Sequence, residues 1–310
     1  MAQGSTPVSL RQLIRPTVLI NASSLYPSTS TTIATETYQR TGSVKFRAAC
    51  SIVEHTQADS FITVSSGNFG SALAHACKQV NKKCIVVMSR SASKTKIDAV
   101  LNEGGRVEFA SSAAEEEAAI VASIRRLTSI QPIRAKENSL AIDGYATLGK
   151  ELAAADCPFD IVVVPIGGGG VISGITKGLR TSGKVTQVIG VEPANANDAA
   201  QSLRSGTLVS LNSEPETLAD GARALSLGVS CWNIIRQEVS NIVEVSEEAI
   251  EEAMRVAFNH FMIKAEPTGA LGIAAILSRP SLFQGASVCC VVTGGNVDNE
   301  MFVKVLTKNV

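Results

Sequence analysis

Short unbroken apolar runs alternate along this chain with stretches in which apolar side chains recur every three or four residues. The runs predict strands over Phe61–Val64, Cys84–Met88, Arg106–Ala110, Asp160–Pro165, Gln187–Val191 and Ser287–Val292. Several have no polar break, the pattern of parallel strands covered by helices on both faces. The three-to-four spacing predicts helices over Phe69–Val80, Ser93–Glu103, Ala113–Leu127, Tyr145–Asp156, Val171–Arg180, Glu247–Phe261 and Gly269–Leu277. Ser246 ahead of Glu247 and Glu248 reads as an N-cap with an acidic first turn, which complements the helix dipole. Strand and helix alternate, so the expected class is α/β.

Three glycine- or serine-rich turns directly follow predicted strands: SSGNFG at 65–70, GGGG at 167–170 and TGGN at 293–296. Ligands of open α/β sheets bind beyond the carboxyl ends of the strands, so three such turns, distant in sequence, are expected to converge on one ligand. Gly167, Gly168, Gly169 and Gly170 would let backbone approach a phosphate at a helix N-terminus. The segment fits neither the dinucleotide fingerprint nor the P-loop. A tight strand–helix turn would need only one glycine.

Composition narrows the function classes. Of 310 residues, 45% are hydrophobic and 18% charged, with 28 basic against 28 acidic side chains. Such a balanced, globular chain is not expected to act on nucleic acid or a membrane surface, and no apolar run has the length of a bilayer span. The start shows no secretory pattern, so a cytoplasmic protein is expected. The cysteines number seven, with no CxxC pair, and the three histidines lack metal-ligand spacing. A disulfide framework, zinc finger or HExxH centre is therefore not expected. Cys289 and Cys290, inside a predicted buried strand, read as small core hydrophobes.

Individual residues carry weak signals on their own. Lys45 lies among apolar and small neighbours, where an amine loses its charge readily and can act as a nucleophile, although a lone lysine is usually a solvated charge. Ser65, Ser66 and Asn68 open a helix, a place that suits a carboxylate or simply an N-cap. Thr293 offers a hydroxyl to a ligand edge or to a turn. Glu192 and Asp198 in EPANAND are hard oxygen donors suited to Mg²⁺ or Ca²⁺, though spacing alone favours two solvated loop acids.

Taken in order, TGSVKFRAA, SSGNFG, PIGGGG, EPANAND, TLADGARALSLG, EPTGALGIAA and TGGN resemble the fold-type II pyridoxal-phosphate enzymes. The nearest branch is that of the serine/threonine dehydratases and serine racemases, and the resemblance runs from about residue 11 to the C-terminus. It implies a tryptophan synthase β-like fold: two open twisted α/β domains with the cofactor between them. The large domain would comprise 1–56 plus 139–310 and the small, substrate-closing domain 57–138. Lys45 would hold the cofactor by a Schiff base and move the Cα proton on one face. Asn68 would meet the ring hydroxyl, Gly167–Gly170 the phosphate, and Thr293 the pyridine nitrogen. Ser65, Ser66 and Asn68, with Phe69, would form the substrate side. Ser66 also matches the opposite-face acid/base of the racemases. Glu192, the Ala196 carbonyl and Asp198 match a divalent-cation site, Mg²⁺ or a similar ion, against the reading from spacing alone.

A hydroxyl at the pyridine nitrogen, in place of a carboxylate, would not keep that nitrogen protonated. A carbanion with a β-leaving group should then expel it. The implied activity is α,β-elimination by an ammonia-lyase (dehydratase) on L-serine, L-threonine or a β-substituted analogue, giving a 2-oxo acid and ammonia. Racemisation, β-replacement or a non-catalytic cofactor carrier are the alternatives. A homodimer and a small amino acid are the implied partners. Four positions depart from the family pattern: Phe69 in place of histidine, Val44 in place of an aromatic, Ala48–Ala49 in place of glycine–alanine, and the middle loop RAKENSLAIDGYATLG. That loop more nearly resembles threonine synthase-like or diaminopropionate lyase-like relatives, and it lies where the substrate side chain is expected. The chain ends soon after TGGN, so no C-terminal regulatory domain is expected.

Overall fold

The computed structural model describes residues 9–25, 29–65, 67–90, 92–126, 129–156, 158–181, 183 and 185–308. The strands are β1 (Val18–Asn21), β2 (Ser30–Thr35), β3 (Ser60–Val64), β4 (Lys83–Ser89), β5 (Arg106–Ala110), β6 (Ile130–Ile133), β7 (Ile161–Pro165), β8 (Gln187–Pro193), β9 (Asn241–Val245) and β10 (Ser287–Val292). They form two sheets. One has six strands in the order β1-β2-β10-β7-β8-β9, the other four in the order β5-β4-β3-β6. All neighbours run parallel except β1 and β2.

Helices α1 (Lys45–His55), α2 (Asn68–Gln79), α3 (Lys94–Asn102), α4 (Ala113–Arg126), α5 (Ser139–Ala153), α6 (Gly170–Arg180), α7 (Asp198–Ser205), α8 (Val229–Glu238), α9 (Glu247–Phe261), α10 (Pro267–Ser278) and α11 (Asn299–Thr307) connect them. Chain order explains the two units. Residues 60–133 supply the whole four-stranded sheet, while the six-stranded sheet takes strands from both sides of that segment.

Side-chain alternation divides the core. Val162, Val164, Val188, Cys289 and Val291 face a cluster continuous with α1, α2, α5 and α6 and with one face of the small sheet. Val163, Ile189, Val191, Val288, Cys290 and Val292 face a second cluster under α9, α10 and α11. Successive strand residues point to opposite faces, so both faces of this sheet are buried and its strands read as continuous apolar runs. Cys289 and Cys290 are fully buried core residues, one on each side.

The structure extends the expected elements and adds others. Helix α5 begins at Ser139, six residues ahead of Tyr145, because the Asn138 side chain accepts the Leu140 N–H (2.9 Å) and caps it. The strands added to the sequence-based set, β1, β2, β6 and β9, are short, and three lie at sheet edges. β6 carries Pro132, which removes a ladder donor and is tolerated there because the strand has one neighbour only. Helix α1 starts at Lys45 itself. Arg47 in its first turn is fully buried and gives Nε and Nη2 to Glu36 (2.7 and 2.9 Å) and Nη1 to Glu151 (2.6 Å). Breaking such a buried pair from one side costs about 3–5 kcal/mol, so Arg47 pins α1 to the end of β2 and to α5.

Candidate active site

The C-terminal ends of β7 and β10 point to the same place, as the parallel topology requires. One pocket there is lined by Lys45, Pro165, Gly167, Gly168, Gly169, Gly170, Val171, Gly221, Thr268 and Thr293. The lysine, the four glycines and the threonine singled out in the sequence therefore meet, although they come from three separated segments. Gly221 and Thr268 join them. Their motifs, TLADGARALSLG and EPTGALG, resemble the family's, yet nothing in the residue types marks these two positions. The Gly221 N–H donates to the Thr268 hydroxyl (3.0 Å) and closes that wall.

Backbone pairing fixes Lys45. The Val44 N–H donates to the Thr293 carbonyl (2.9 Å), the Gly295 N–H to the Gly42 carbonyl (3.0 Å), and Ser43 bridges Gly294. The segment carrying Lys45 is thus stitched to the TGGN turn. The Lys45 ammonium lies 5.5 Å from the centre of the Tyr145 ring. Burial lowers its pKa from 10.5, and the charge of Glu266 opposes that shift. Its place in the first turn of a helix also disfavours a cation. A neutral, nucleophilic amine is accessible as a result.

The glycine turn is built to approach an anion. Gly169 has φ +88°, a left-handed conformation that side chains other than glycine rarely adopt, and it caps α6. A Cβ at Gly167 would sit 2.3 Å from the Gly221 carbonyl oxygen. The first N–H groups of α6 have no partner within their helix and face this cradle with the positive end of the dipole.

Helix α2 begins beside the TGGN turn, to which it is tied by its first residue. Its first residue, Asn68, gives Nδ2 to Glu266 Oε1 (2.7 Å) and accepts from Asn296 Nδ2 at Oδ1 (2.8 Å). Its amide is therefore fixed in orientation, with one N–H left to offer. Ser65 spends its hydroxyl locally, accepting the N–H groups of Gly67 (3.4 Å) and Gly70 (3.2 Å) at the helix start. Phe69 packs into the core and is 7% exposed. Ser66 lies outside the described residues. Glu266 opens the EPTGALGIAA motif but has no role legible from the sequence, because its burial depends on α10, α2 and the TGGN turn meeting.

A second polar place lies at the end of β8. Glu192 and Asp198 are each 1% exposed and Ala196 is fully buried, so these are not solvated loop acids. The Glu192 carboxylate accepts the N–H groups of Ala199 (3.3 Å) and Ala200 (2.9 Å) at the start of α7. Asp198 Oδ2 is buried with no hydrogen-bond partner among the described residues. Burial, reinforced by the charge of Asp198, pushes the Glu192 carboxyl up to about 9. Burial raises Asp198 to about 6. Two neighbouring buried acids, one with an unpaired oxygen, fit a hard divalent cation. Among the described residues no group of three or more His, Cys, Asp or Glu side chains gathers as a metal site. Any cation here would rest on two carboxylates, a carbonyl and water.

The pyridoxal-phosphate dependent enzyme family matches residues 10–294. The chain belongs to this family. It is 34% identical over 272 residues to a serine racemase of Arabidopsis thaliana, covering 85% of this chain and 82% of that protein. It is 33% identical over 278 residues to an L-threo-3-hydroxyaspartate ammonia-lyase of Pseudomonas sp, covering 88% and 87%. Among solved structures, a threonine deaminase from T.th. aligns with a TM-score of 0.87 at 32% identity, covering 94% of this chain and 96% of that one. The chain is thus a fold-type II pyridoxal-phosphate enzyme of the serine/threonine dehydratase branch. Its pocket fits the cofactor, with an amine of lowered pKa at one end and a side-chain-free anion cradle at the other. No helix among the described residues is long and apolar enough to cross a membrane.

Proposed function

We propose that this protein is an ammonia-lyase that acts on an L-β-hydroxy amino acid: serine, threonine or a β-substituted analogue such as 3-hydroxyaspartate. Water is lost across Cα–Cβ and regained on hydrolysis, so the net products are a 2-oxo acid and ammonia. The observation that carries the reading is the pocket itself, in which Lys45, the Gly167–Gly170 cradle and Thr293 line one cavity. The lyase names of relatives such as the Pseudomonas protein support the reaction class.

Bound pyridoxal phosphate supplies an electron sink for the charge left at Cα. The chain's residues do the rest. Gly167–Gly170 and the α6 N-terminus hold the phosphate. Asn68, its amide locked by Glu266 and Asn296, offers its remaining N–H to the ring oxygen. Thr293 offers a hydroxyl at the pyridine nitrogen. Lys45, neutral when desolvated, takes the Cα proton and can return one to the leaving hydroxyl. The α2 N-terminus, with Ser65, Ser66 and Asn68, receives the substrate carboxylate. The segment 57–138 acts as the small domain that closes over substrate and excludes water. Glu192, Asp198 and the Ala196 carbonyl hold a divalent cation that replaces the proton Glu192 otherwise keeps.

The test is proton NMR in D₂O of the holoenzyme with serine, threonine, 3-hydroxyaspartate, phenylserine and 2,3-diaminopropionate. One hydroxy amino acid should disappear into its oxo acid, and Lys45→Ala should slow that by at least about 10³-fold, the scale of a lost general acid–base. Retained turnover in Lys45→Ala would sink the assignment. The resemblance to a serine racemase supports racemisation as a second reading. It predicts loss of the α-proton signal with the skeleton intact and formation of the D-isomer, and Ser66→Ala should stop the inversion while sparing elimination.

A further inference from the structure

The polar groups around the pocket come alternately from the two sheets. Asn296 belongs to the six-stranded unit, Asn68 to the four-stranded one, and Glu266 again to the first. The series continues. Lys96, on α3 of the four-stranded unit, forms an ion pair with Asp220 of the six-stranded unit. The Lys96 side chain is only 17% exposed, so most of it is withdrawn from solvent. Burial lowers its pKa, while Glu266 and Asp298 support its charge and Arg223 opposes it.

The ion pair connects this ammonium to the pocket wall, and Glu266 lies beside the same wall. Asp220 precedes Gly221, which lines the pocket and whose carbonyl is packed against Gly167 of the phosphate cradle. Glu266 orients the Asn68 amide. Glu266 is itself withdrawn from water, and the Asn68 amide, Lys96 and Lys45 are what offset its charge.

We propose that Lys96 is a positioning residue for the reaction: it fastens α3 to Asp220 across the cleft, so that the adjoining Gly221 keeps its place against Gly167 of the phosphate cradle. The inference rests on the reading of this pocket as a pyridoxal-phosphate site. It goes beyond that reading, because Lys96 does not line the pocket. A simple surface ion pair would hold neither end of the pocket, and its loss would leave the bound cofactor undisturbed.

The experiment compares the holoenzyme with Lys96→Met, Lys96→Arg and Asp220→Asn. Four readouts are taken: visible absorption and circular dichroism of the bound cofactor, cofactor dissociation, hydrogen exchange in α3 and residues 217–228, and kcat against KM. Lys96→Met should shift the cofactor spectrum, speed exchange in both segments and lower kcat by roughly ten-fold or more, the effect of a small misplacement. Lys96→Arg should recover most of the spectrum and rate. Asp220→Asn should move the same readouts in the same direction, and the double variant should be no worse than Lys96→Met, as expected for partners in one network. A wild-type spectrum, exchange pattern and kcat in Lys96→Met would overturn the proposal. So would Lys96→Arg as impaired as Lys96→Met, or effects of Lys96 and Asp220 that simply add. Should no amino acid be turned over, the spectrum and exchange still decide the role of Lys96, and the failure belongs to the functional reading. If Lys96→Met does not fold, Asp220→Asn decides by the same spectrum and exchange readouts.

Discussion

Glu192 shows how burial ties the proton of one side chain to folding. Its carboxyl rises from 4.5 to about 9 through burial. Between those values the folded chain keeps a proton that the unfolded chain has released. The stability this group contributes is full below pH 4.5 and is lost as pH rises through about 9. A cation bound by Glu192 and Asp198 takes the proton's place and removes the decline. With a chelator present, the melting temperature should therefore fall as pH rises through this window. Millimolar Mg²⁺ should flatten the fall, and Glu192→Gln should abolish the Mg²⁺ effect. Scanning calorimetry checks all three, and a melting temperature indifferent to Mg²⁺ at alkaline pH would remove the cation from the site. These two acids were visible as oxygen donors in the sequence, but their burial was not. EPANAND has the composition of a solvated loop, and only the packing of α7 against the end of β8 withdraws it from water. Ser65 shows the opposite case: a polar residue legible as a site candidate whose hydroxyl caps α2.

At the scale of elements, α6 carries the phosphate cradle at its first residue and therefore must be placed accurately. It is placed by close contact with α5. A Cβ at Gly149 would lie 2.2 Å from the Ile175 carbonyl oxygen, one at Gly174 would lie 2.3 Å from Tyr145 Cβ, and one at Gly178 would lie 2.2 Å from the Ala146 carbonyl oxygen. Gly170, Gly174 and Gly178 recur every four residues and so share one helix face. Gly178→Ala should cost about 1–3 kcal/mol, as overpacking does, and should weaken cofactor retention although residue 178 lies two turns from the cradle. Urea unfolding and cofactor titration measure the two effects, and a change in neither would show that the α5–α6 contact is slack. The four-residue glycine spacing was present in the sequence, but its meaning required knowing which helix lies across it.

The whole molecule is two largely parallel sheets meeting at one pocket. The contacts that cross between them include Asn68 to Glu266, Asn296 to Asn68 and Lys96 to Asp220. Each involves a residue adjacent in the chain, or joined by a hydrogen bond, to the segments that carry the pocket: Asp220 precedes Gly221, Glu266 lies two residues before Thr268, and Asn296 closes the TGGN turn. Occupancy of the site should therefore be felt by both units together. Adding a non-reacting dicarboxylate to the holoenzyme should slow hydrogen exchange in α2, α3 and residues 217–228 while leaving β7 and β10 unchanged. Protection confined to one unit would count against closure.

The sequence by itself determined the class of fold, the cofactor and several of the residues that line the pocket: Lys45, Gly167–Gly170 and Thr293. Those properties are written locally: in unbroken strand runs, in glycine turns placed directly after them, and in a lysine among small neighbours. The short edge strands escaped because four or five residues carry too little periodicity, and α1 escaped because its first turn coincides with a motif read for chemistry. Only the tertiary structure decided the charge states and pairings. Lys96, Asp220 and Tyr145 lie on separate elements and Glu266 and Thr268 at the start of α10, and each matters through what packs against it. Desolvation and ion pairing depend on three-dimensional neighbours, so the Lys45 amine and the Glu266 carboxyl acquired their chemistry where separate segments meet, and the Glu192–Asp198 pair where the start of α7 closes on the end of β8.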